Sequence, residues 1–320
     1  MKKILFLLTT LVCLSFSQSY SQVQLQSLQR HLSVLAHDSL EGRGIGTPGI
    51  EKAAQYIENQ FKQLGLLPYR EASYRQTFKA PGQKIVTSNV IGMIEGTTEK
   101  DQYVVISAHY DHLGIQYGQI YNGADDDGSG TAALIAMAEA IQEKVKMGQR
   151  PRKSIVFIAF SAEESGLLGS SFYTKNTFLH LSQTTCDLNI DMIGRIDETR
   201  TTPDKSNYVY VIGHDKVSSE WETLLAKVNR NNPLVLDYKF DLPDDPERIF
   251  YRSDHYNFAR FGVPILFFYD GMLGDDYHKP SDDIERINWD LYVKRANFIY
   301  SLALEVANLD HKVLRDKPLD

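Results

Sequence analysis

The chain has 320 residues, enough to bury a substantial hydrophobic core in one α/β domain or in two smaller ones. Hydrophobic residues make up 42% of the sequence and charged residues 23%, which is typical of a globular protein. The formal net charge of −7 argues against nucleic acid as a partner, because binding phosphates requires a basic surface.

The N-terminus has the pattern of a secretory signal peptide. Two lysines precede an apolar stretch that is too short to span a bilayer, and small polar residues follow it. We therefore expect residues 1–20 to be a signal peptide that is cleaved between Ser15 and Gln22. The mature chain is then secreted or periplasmic and has no integral membrane segment.

The sequence contains only two cysteines. Cys13 lies in the signal peptide after Val12, which is too large for a lipid-attachment site, so we do not expect a lipid anchor. Removal of the signal peptide leaves Cys186 alone, which excludes an intramolecular disulfide and a Cys-based zinc site. Any metal must be held by His, Asp and Glu, and such a donor set suits a catalytic site that keeps a position open for water.

Hydrophobic periodicity predicts strands that alternate with helices along the chain. The helices are expected at residues 24–36, 48–64, 129–145, from 167 through 172, 218–229, 255–261 and 288–308. The strands are expected at residues 77–78, 84–94, 103–107, 154–160, 186–191, 208–212 and 263–268, with a long loop at 233–248. Because the strands are continuous apolar runs, we predict a three-layer α/β/α sandwich with a mixed, mostly parallel central sheet. Residues 21–320 are expected to form a single domain.

Polar side chains gather where the predicted strands end. In open α/β sheets, ligands bind beyond the carboxyl ends of the strands. The residues at these positions are His109, Asp111, Asp125, Asp126, Asp127, Glu163, Glu164, Asp191 and His278. A single residue of this kind is usually a helix cap or a surface side chain, but those explanations do not account for so many at one sheet edge. The pattern therefore predicts a metal site.

These residues, in this order, resemble the zinc aminopeptidase family, which includes secreted bacterial leucyl aminopeptidases, glutamate carboxypeptidase and the glutaminyl cyclases. The similar segments are Leu40–Arg43, His109–Asp111, Gly123–Gly130, Glu163–Glu164, Asn189–Met192, Ser253–His255 and Tyr277–His278. They extend from about His37 to Ile284, nearly the whole mature chain. The resemblance implies a di-zinc peptidase domain that removes terminal residues from peptide substrates.

The resemblance also implies a set of metal ligands for two zinc ions. Asp126 would bridge the two ions. His109 and Asp191 would complete one site, and Glu164 and His278 the other. Such a co-catalytic pair shares a water between the two metals. Zinc is implied by the family and the donor types, since His and carboxylate sites also accept cobalt or manganese.

Three further residues receive catalytic roles from the resemblance. Glu163 would be the general base that takes a proton from the bridging water and passes it to the leaving amine. Asp111 would hydrogen-bond the other ring nitrogen of His109 and fix its tautomer. Tyr277 would polarise the scissile carbonyl, although it could equally be a packing aromatic that anchors its loop.

Other residues near the site have less specific roles. The family places its bridging aspartate two residues before the Gly-Ser-Gly element, which selects Asp126 and leaves Asp125 as the alternative. The resemblance also implies a cis peptide between Asp126 and Asp127. Asp254 and His255 are interpreted as scaffold.

The preferred hypothesis is an aminopeptidase, and the alternatives are a carboxypeptidase or dipeptidase on the same metal frame. Arg195 or Arg252 could recognise a substrate carboxylate, or each could be a structural ion-pair partner. A glutaminyl cyclase would use one zinc and lose part of the ligand set, whereas all five positions are filled here. A non-catalytic binding module would lose the ligands and the base, so Glu163 argues against it.

Overall fold

A nine-stranded sheet forms the centre of the computed structural model, which describes residues 22–80, 85–201, 204–274 and 276–319. The predicted signal peptide lies outside the described residues. The strands are β1 (Leu67–Pro68), β2 (Arg75–Lys79), β3 (Val86–Ile94), β4 (Glu99–His109), β5 (Gly114–Gln116), β6 (Gln119–Tyr121), β7 (Lys153–Phe160), β8 (Thr184–Ile190), β9 (Tyr208–Ile212), β10 (Val235–Asp237) and β11 (Ile265–Tyr269).

The described part of the chain contains seven α-helices. They are α1 (Leu25–Leu35), α2 (Pro48–Leu64), α3 (Gly130–Lys146), α4 (Leu168–Asn176), α5 (Trp221–Asn229), α6 (His255–Ala259) and α7 (Trp289–Ala307). Short 3₁₀ segments lie at Asp38–Arg43, Lys239–Asp241, Ile249–Tyr251 and Ile284–Arg286. None of these helices combines the length and the hydropathy that crossing a bilayer requires.

The strand order is β1-β3-β7-β4-β8-β11-β9-β10, with β2 also paired to β3. The four central strands β7, β4, β8 and β11 are mutually parallel, whereas β3 and β9 run antiparallel to their neighbours in this block. The sheet is therefore mixed with a parallel centre, which confirms the predicted fold class. The carboxyl ends of the four parallel strands lie at one edge.

Helices cover both faces of the sheet. The chain moves from β4 to β7 through α3 and then from β7 past β4 to β8 through α4. Right-handed crossovers in opposite directions place these two helices on opposite faces. The helices α1, α2, α5 and α7 join α3, and α6 packs with α4, so β7 is buried along its whole length. This double coverage is why the central strands are continuously apolar.

The structure differs from the sequence-based predictions in several short segments. The helix expected from Ser218 begins at Trp221, because the Ser218 hydroxyl accepts the backbone N–H of Glu220 in a turn before the helix. The loop expected at 233–248 contains β10, a half-buried edge strand of three residues that is too short to show a periodicity. The hairpin β5–β6 was not predicted.

Glu139 in α3 ties together the three N-terminal helices. Its carboxylate accepts hydrogen bonds from the hydroxyl of Ser27, from Arg30 at 2.6 Å and from His31 Nε2 at 3.0 Å, all in α1. The other ring nitrogen of His31 lies 2.7 Å from the hydroxyl of Tyr56 in α2. Burial would raise the pKa of Glu139, but the hydrogen bonds from His31 and Ser27 lower it to about 2.

We expect Glu139→Gln to lower the free energy of unfolding by about 2 kcal/mol at pH 7, because the variant loses charged hydrogen bonds to α1. The folded pKa lies below the ordinary value of 4.5, so the stabilisation is present above that pH and is lost as the pH falls towards 2. Urea unfolding at pH 7 and at pH 3 checks both the size and the sign.

The control is Glu143→Gln in the same helix, whose side chain is exposed and forms an ion pair with Lys146. Its effect should stay below about 0.5 kcal/mol. An effect of Glu139→Gln that is equally large at both pH values would contradict the assignment of the stabilisation to the charged carboxylate.

Candidate metal centre

The predicted ligands all lie at the edge formed by the carboxyl ends of the parallel strands. His109 is the last residue of β4, and Asp191 directly follows β8. Glu163 and Glu164 lie in the turn after β7, and His278 lies in the loop after β11. The parallel direction of these four strands therefore brings together residues that are up to 169 positions apart in the sequence.

In the triplet Asp125–Asp127, the middle side chain faces the cleft and the outer two are hydrogen-bonded to the backbone. Asp125 accepts the backbone N–H of Gly194 at 2.7 Å, and Asp127 accepts three backbone N–H groups, the shortest of these bonds being 2.8 Å. Asp126 alone faces the histidines, and the peptide between Asp126 and Asp127 is cis, as the resemblance implies. The turn thus presents a single carboxylate to the cleft.

The two oxygens of Asp126 face different histidines. Oδ1 lies 3.3 Å from Nε2 of His109, and Oδ2 lies 3.1 Å from Nε2 of His278. Asp191 Oδ1 is 3.5 Å from the same nitrogen of His109, and Glu164 Oε2 is 3.2 Å from that of His278. Two ligands of a tetrahedral zinc with bonds of 2.0–2.1 Å lie about 3.3 Å apart. The donors therefore fit two neighbouring zinc sites that share Asp126.

The centre carries a high density of buried negative charge. Its carboxylates are those of Asp126, Glu163, Glu164 and Asp191. Within the described residues, no Lys or Arg lies within 4 Å of them, and their only ion-pair partners are histidines. Burial raises the pKa of Glu163 well above its ordinary value. Burial would lower the pKa of His109, but the carboxylates of Asp191 and Glu163 raise it well above its usual range. Such a cluster suits divalent cations.

Asp111 makes different contacts from those expected. Its carboxylate lies 3.7 Å from Nδ1 of His109, beyond hydrogen-bonding distance, and its backbone carbonyl is closer, at 3.2 Å. The carboxylate instead accepts the backbone N–H groups of Glu163 at 3.0 Å and Glu164 at 3.2 Å. Burial raises the pKa of Asp111 to about 6. The contact of Asp111 with His109 is thus through the backbone, and its carboxylate positions the glutamate pair.

Glu163 and Tyr277 line a cleft of about 60 Å³ beside the ligands. Glu163 Oε2 lies 3.9 Å from Nε2 of His109, close to the metal donors. The ring of Tyr277 stacks on His278 at a centroid distance of 3.9 Å, and its hydroxyl accepts a hydrogen bond from Arg252 at 3.2 Å. Both residues are therefore within reach of a small substrate in the cleft.

The structure separates the two arginines considered for carboxylate recognition. Arg252 lines the cleft. Arg195 pairs with Asp276 at 2.7 Å and lines a neighbouring cavity of about 570 Å³ instead. Asp254 and His255 are fully buried, as expected of scaffold residues.

Three residues at the centre were not assigned a role from the sequence. Ser253 donates to Asp191 Oδ2 at 2.6 Å, and Asp282 accepts two backbone N–H groups of the aspartate triplet at 3.0 and 3.1 Å. His112 Nδ1 lies 2.9 Å from Glu164 Oε1. His112 could have been identified from its position directly after the motif of His109 and Asp111. Ser253 could have been identified because it lies in one of the segments that resemble the zinc aminopeptidase family. Asp282 has no such signal.

Comparison with known proteins places this site in a family. Residues 89–303 match the model of peptidase family M28. Aminopeptidase YwaD of Bacillus subtilis is 28% identical over 287 residues, which are 86% of this chain and 54% of that protein. A probable glutamate carboxypeptidase of Arthroderma benhamiae is 33% identical over 175 residues, which are 50% of this chain and 22% of that protein.

The fold is similar to that of solved zinc peptidases. The structure of BSAP, a zinc aminopeptidase from Bacillus subtilis, superposes with a TM-score of 0.67 at 18% identity and covers 92% of this chain and 99% of that one. The chain spans about half the length, or less, of the curated relatives it matches. The fold and the donor set define a metallopeptidase frame. The chain belongs to peptidase family M28.

We expect Asp126→Asn to reduce the zinc affinity of both positions by more than about 100-fold. Mutation of a residue that only hydrogen-bonds to a metal ligand typically lowers metal affinity by about 10–100-fold, and loss of a shared ligand should cost more. Elemental analysis after dialysis against a chelator measures the zinc retained per chain. The control is Asp125→Asn, which keeps an oxygen to accept the N–H of Gly194 and should retain zinc like the wild type. Loss of zinc from the Asp125 variant alone would identify Asp125 as the bridge.

Proposed function

We propose that this chain is a secreted or periplasmic zinc-dependent aminopeptidase that hydrolyses N-terminal residues from peptides. The observation that carries the proposal is the pair of donor sets that share Asp126 beside a cleft lined by Glu163. Membership of peptidase family M28 and the similarity to aminopeptidases support the same reaction class. When bound, two zinc ions would polarise the scissile carbonyl and lower the pKa of the attacking water.

Glu163 is the proposed general base. Its carboxylate is buried beside the metal donors, and burial raises its pKa well above that of an ordinary glutamate. A carboxylate with a raised pKa accepts a proton more readily near neutral pH, and its conjugate acid can pass that proton to the leaving amine. Asp111 supports this role, because it holds the backbone N–H of Glu163.

Tyr277 is the proposed donor to the developing oxyanion. Its hydroxyl oxygen accepts a hydrogen bond from Arg252, so the hydroxyl proton remains available to donate towards the cleft. Burial raises the pKa of Tyr277, which keeps the hydroxyl protonated at neutral pH. A donor that is fixed before the reaction stabilises charge as it develops on the carbonyl oxygen.

The shape of the cleft favours an exopeptidase for apolar terminal residues. Besides the carboxylates, the cleft is lined by apolar and aromatic side chains, those of Met192, Ile249, Phe267, Tyr269 and Leu273. A cleft of about 60 Å³ is small, which suits one terminal side chain more than an extended peptide on both sides of the scissile bond. The carboxylates that line the same cleft favour a protonated α-amine over a substrate carboxylate.

A carboxypeptidase or dipeptidase is the second candidate, and Arg252 is the observation that favours it. The Arg252 guanidinium lines the cleft, where it could pair with a C-terminal carboxylate. One relative is a probable glutamate carboxypeptidase. However, Arg252 already contacts the Tyr277 hydroxyl at 3.2 Å and Glu247 at 3.6 Å.

Hydrolysis of four forms of one dipeptide distinguishes these activities. The forms are the free dipeptide, the N-acetylated, the C-amidated and the doubly blocked peptide. An aminopeptidase cleaves the free and the amidated forms, a carboxypeptidase cleaves the free and the acetylated forms, and a dipeptidase cleaves only the free form. We expect the first pattern, and cleavage of the acetylated form without the amidated form would contradict an aminopeptidase.

We expect Glu163→Gln to lower kcat by about 10²–10⁴-fold while the zinc content stays unchanged, because the amide keeps the shape but cannot take a proton. Glu164→Gln provides the contrast, since it should lose zinc together with activity. Activity and elemental analysis of the same samples check both statements. Normal turnover by the Glu163 variant would exclude Glu163 as the base, and an enzyme that resists chelators would exclude the metal centre.

A further inference from the structure

His112 is a buried residue of the centre for which the proposed reaction has no role. Its ring Nδ1 lies 2.9 Å from Oε1 of Glu164 and 4.0 Å from Oδ2 of Asp126. A carboxylate can only accept a hydrogen bond, so Nδ1 carries the proton and donates it to Glu164. The other nitrogen, Nε2, is buried and has no hydrogen-bond partner among the described residues. Among the described residues, the hydrogen bond that the ring makes is therefore the one to Glu164.

The two oxygens of Glu164 have different partners. Oε1 is occupied by His112, whereas Oε2 lies 3.2 Å from Nε2 of His278. The same nitrogen of His278 lies 3.1 Å from Oδ2 of Asp126. Oε2 is thus the oxygen that lies with the donors of His278 and Asp126, and Oε1 is engaged by His112.

The backbone around His112 fixes the position of its ring. The His112 N–H donates to the carbonyl of Arg43 at 3.2 Å, and the Arg43 guanidinium donates to the carbonyls of Tyr110 and Gly123, each at 2.8 Å. The ring lies against Gly123, where a Cβ atom would approach its Cγ and Cδ2 to 2.5 Å. Gly123 also has a φ of +53°, a left-handed conformation that favours glycine. The ring is held between these segments.

We propose that His112 is a positioning residue that orients Glu164 so that only Oε2 faces the second metal position. The inference rests on the proposed metal centre and adds to it a residue outside the predicted ligand set. Partners that orient a metal ligand typically contribute 10–100-fold to metal affinity. Glu164 without this hydrogen bond could rotate and leave Oε2 off the line towards His278.

Three substitutions test the donor at Nδ1. In His112→Asn the side-chain amide nitrogen takes the place of Nδ1, whereas in His112→Gln it reaches the place of Nε2. His112→Ala removes both. We expect Ala and Gln to weaken the binding of the zinc at the position of Glu164 and His278 by about 10–100-fold, and Asn to remain close to the wild type. Competition with a chromogenic zinc chelator measures the affinity of each site, and circular dichroism of the zinc-free chains reports folding.

Two results from the variants would overturn the inference. Asn binding zinc as weakly as Ala would mean that His112 acts as a direct ligand or by packing, and Ala with wild-type affinity would mean that the hydrogen bond is irrelevant. The wild-type chain is measured first. A wild-type chain that binds no zinc overturns the proposed function together with this inference, whereas normal zinc binding in all three variants overturns this inference alone.

Discussion

The close approach of four buried carboxylates at one sheet edge is the constraint on which the rest of the centre depends. Two like charges 4 Å apart repel by about 4 kcal/mol at an effective dielectric constant of 20, so their assembly requires positive charge. His109 and His278 approach Asp126 from opposite sides. Burial would raise the pKa of Asp126, but hydrogen bonds from these two histidines hold it well below the ordinary range. The two histidines thus favour the ionised form of Asp126, the proposed bridging ligand.

A second set of acidic residues fixes the backbone around the cleft by accepting hydrogen bonds from its N–H groups. Asp111, Asp125, Asp127 and Asp282 each accept main-chain N–H groups near the cleft. Arg43 binds the other type of backbone group, because its buried guanidinium donates hydrogen bonds to four backbone carbonyls. Burial lowers the pKa of Arg43, and nearby carboxylates oppose that shift. Main-chain dipoles therefore share in balancing the charge.

The clustering of the candidate ligands at one sheet edge could be predicted from the sequence, because these residues follow long apolar strands. Tyr208–Ile212 has the predicted bounds, and β4 and β8 end at or next to the predicted donors. The partner of Asp111 could not be predicted. Side chains two residues apart share a face only while the strand continues, and β4 ends at His109, so the Asp111 carboxylate turns towards the backbone N–H of Glu163.

The contact between His112 and Glu164 was also beyond prediction from the sequence. It depends on the path of the chain after β4. There the backbone N–H of His112 is hydrogen-bonded to the carbonyl of Arg43, which lies 69 positions earlier in the sequence. Local periodicity carries no information on such a contact, because the residues belong to loops. The same limit applies to β10, whose three residues gain their strand conformation from pairing with β9.

Charge compensation distinguishes the centre from a second cluster of possible metal donors elsewhere in the described structure. His214, Asp215 and Asp241 offer donors close enough to share an ion. However, Lys216 Nζ lies 3.1 Å from Asp241 Oδ1, and His214 Nδ1 lies 2.6 Å from Oδ2. Burial would raise the pKa of Asp241, but these partners lower it, so its charge is already balanced. The cluster follows β9, which runs antiparallel to β11, and therefore lies at the opposite edge of the sheet. The direction of the strands therefore places the two clusters at opposite edges of the sheet. They also differ in charge, because the Lys216 ammonium group pairs with Asp241 in the second cluster.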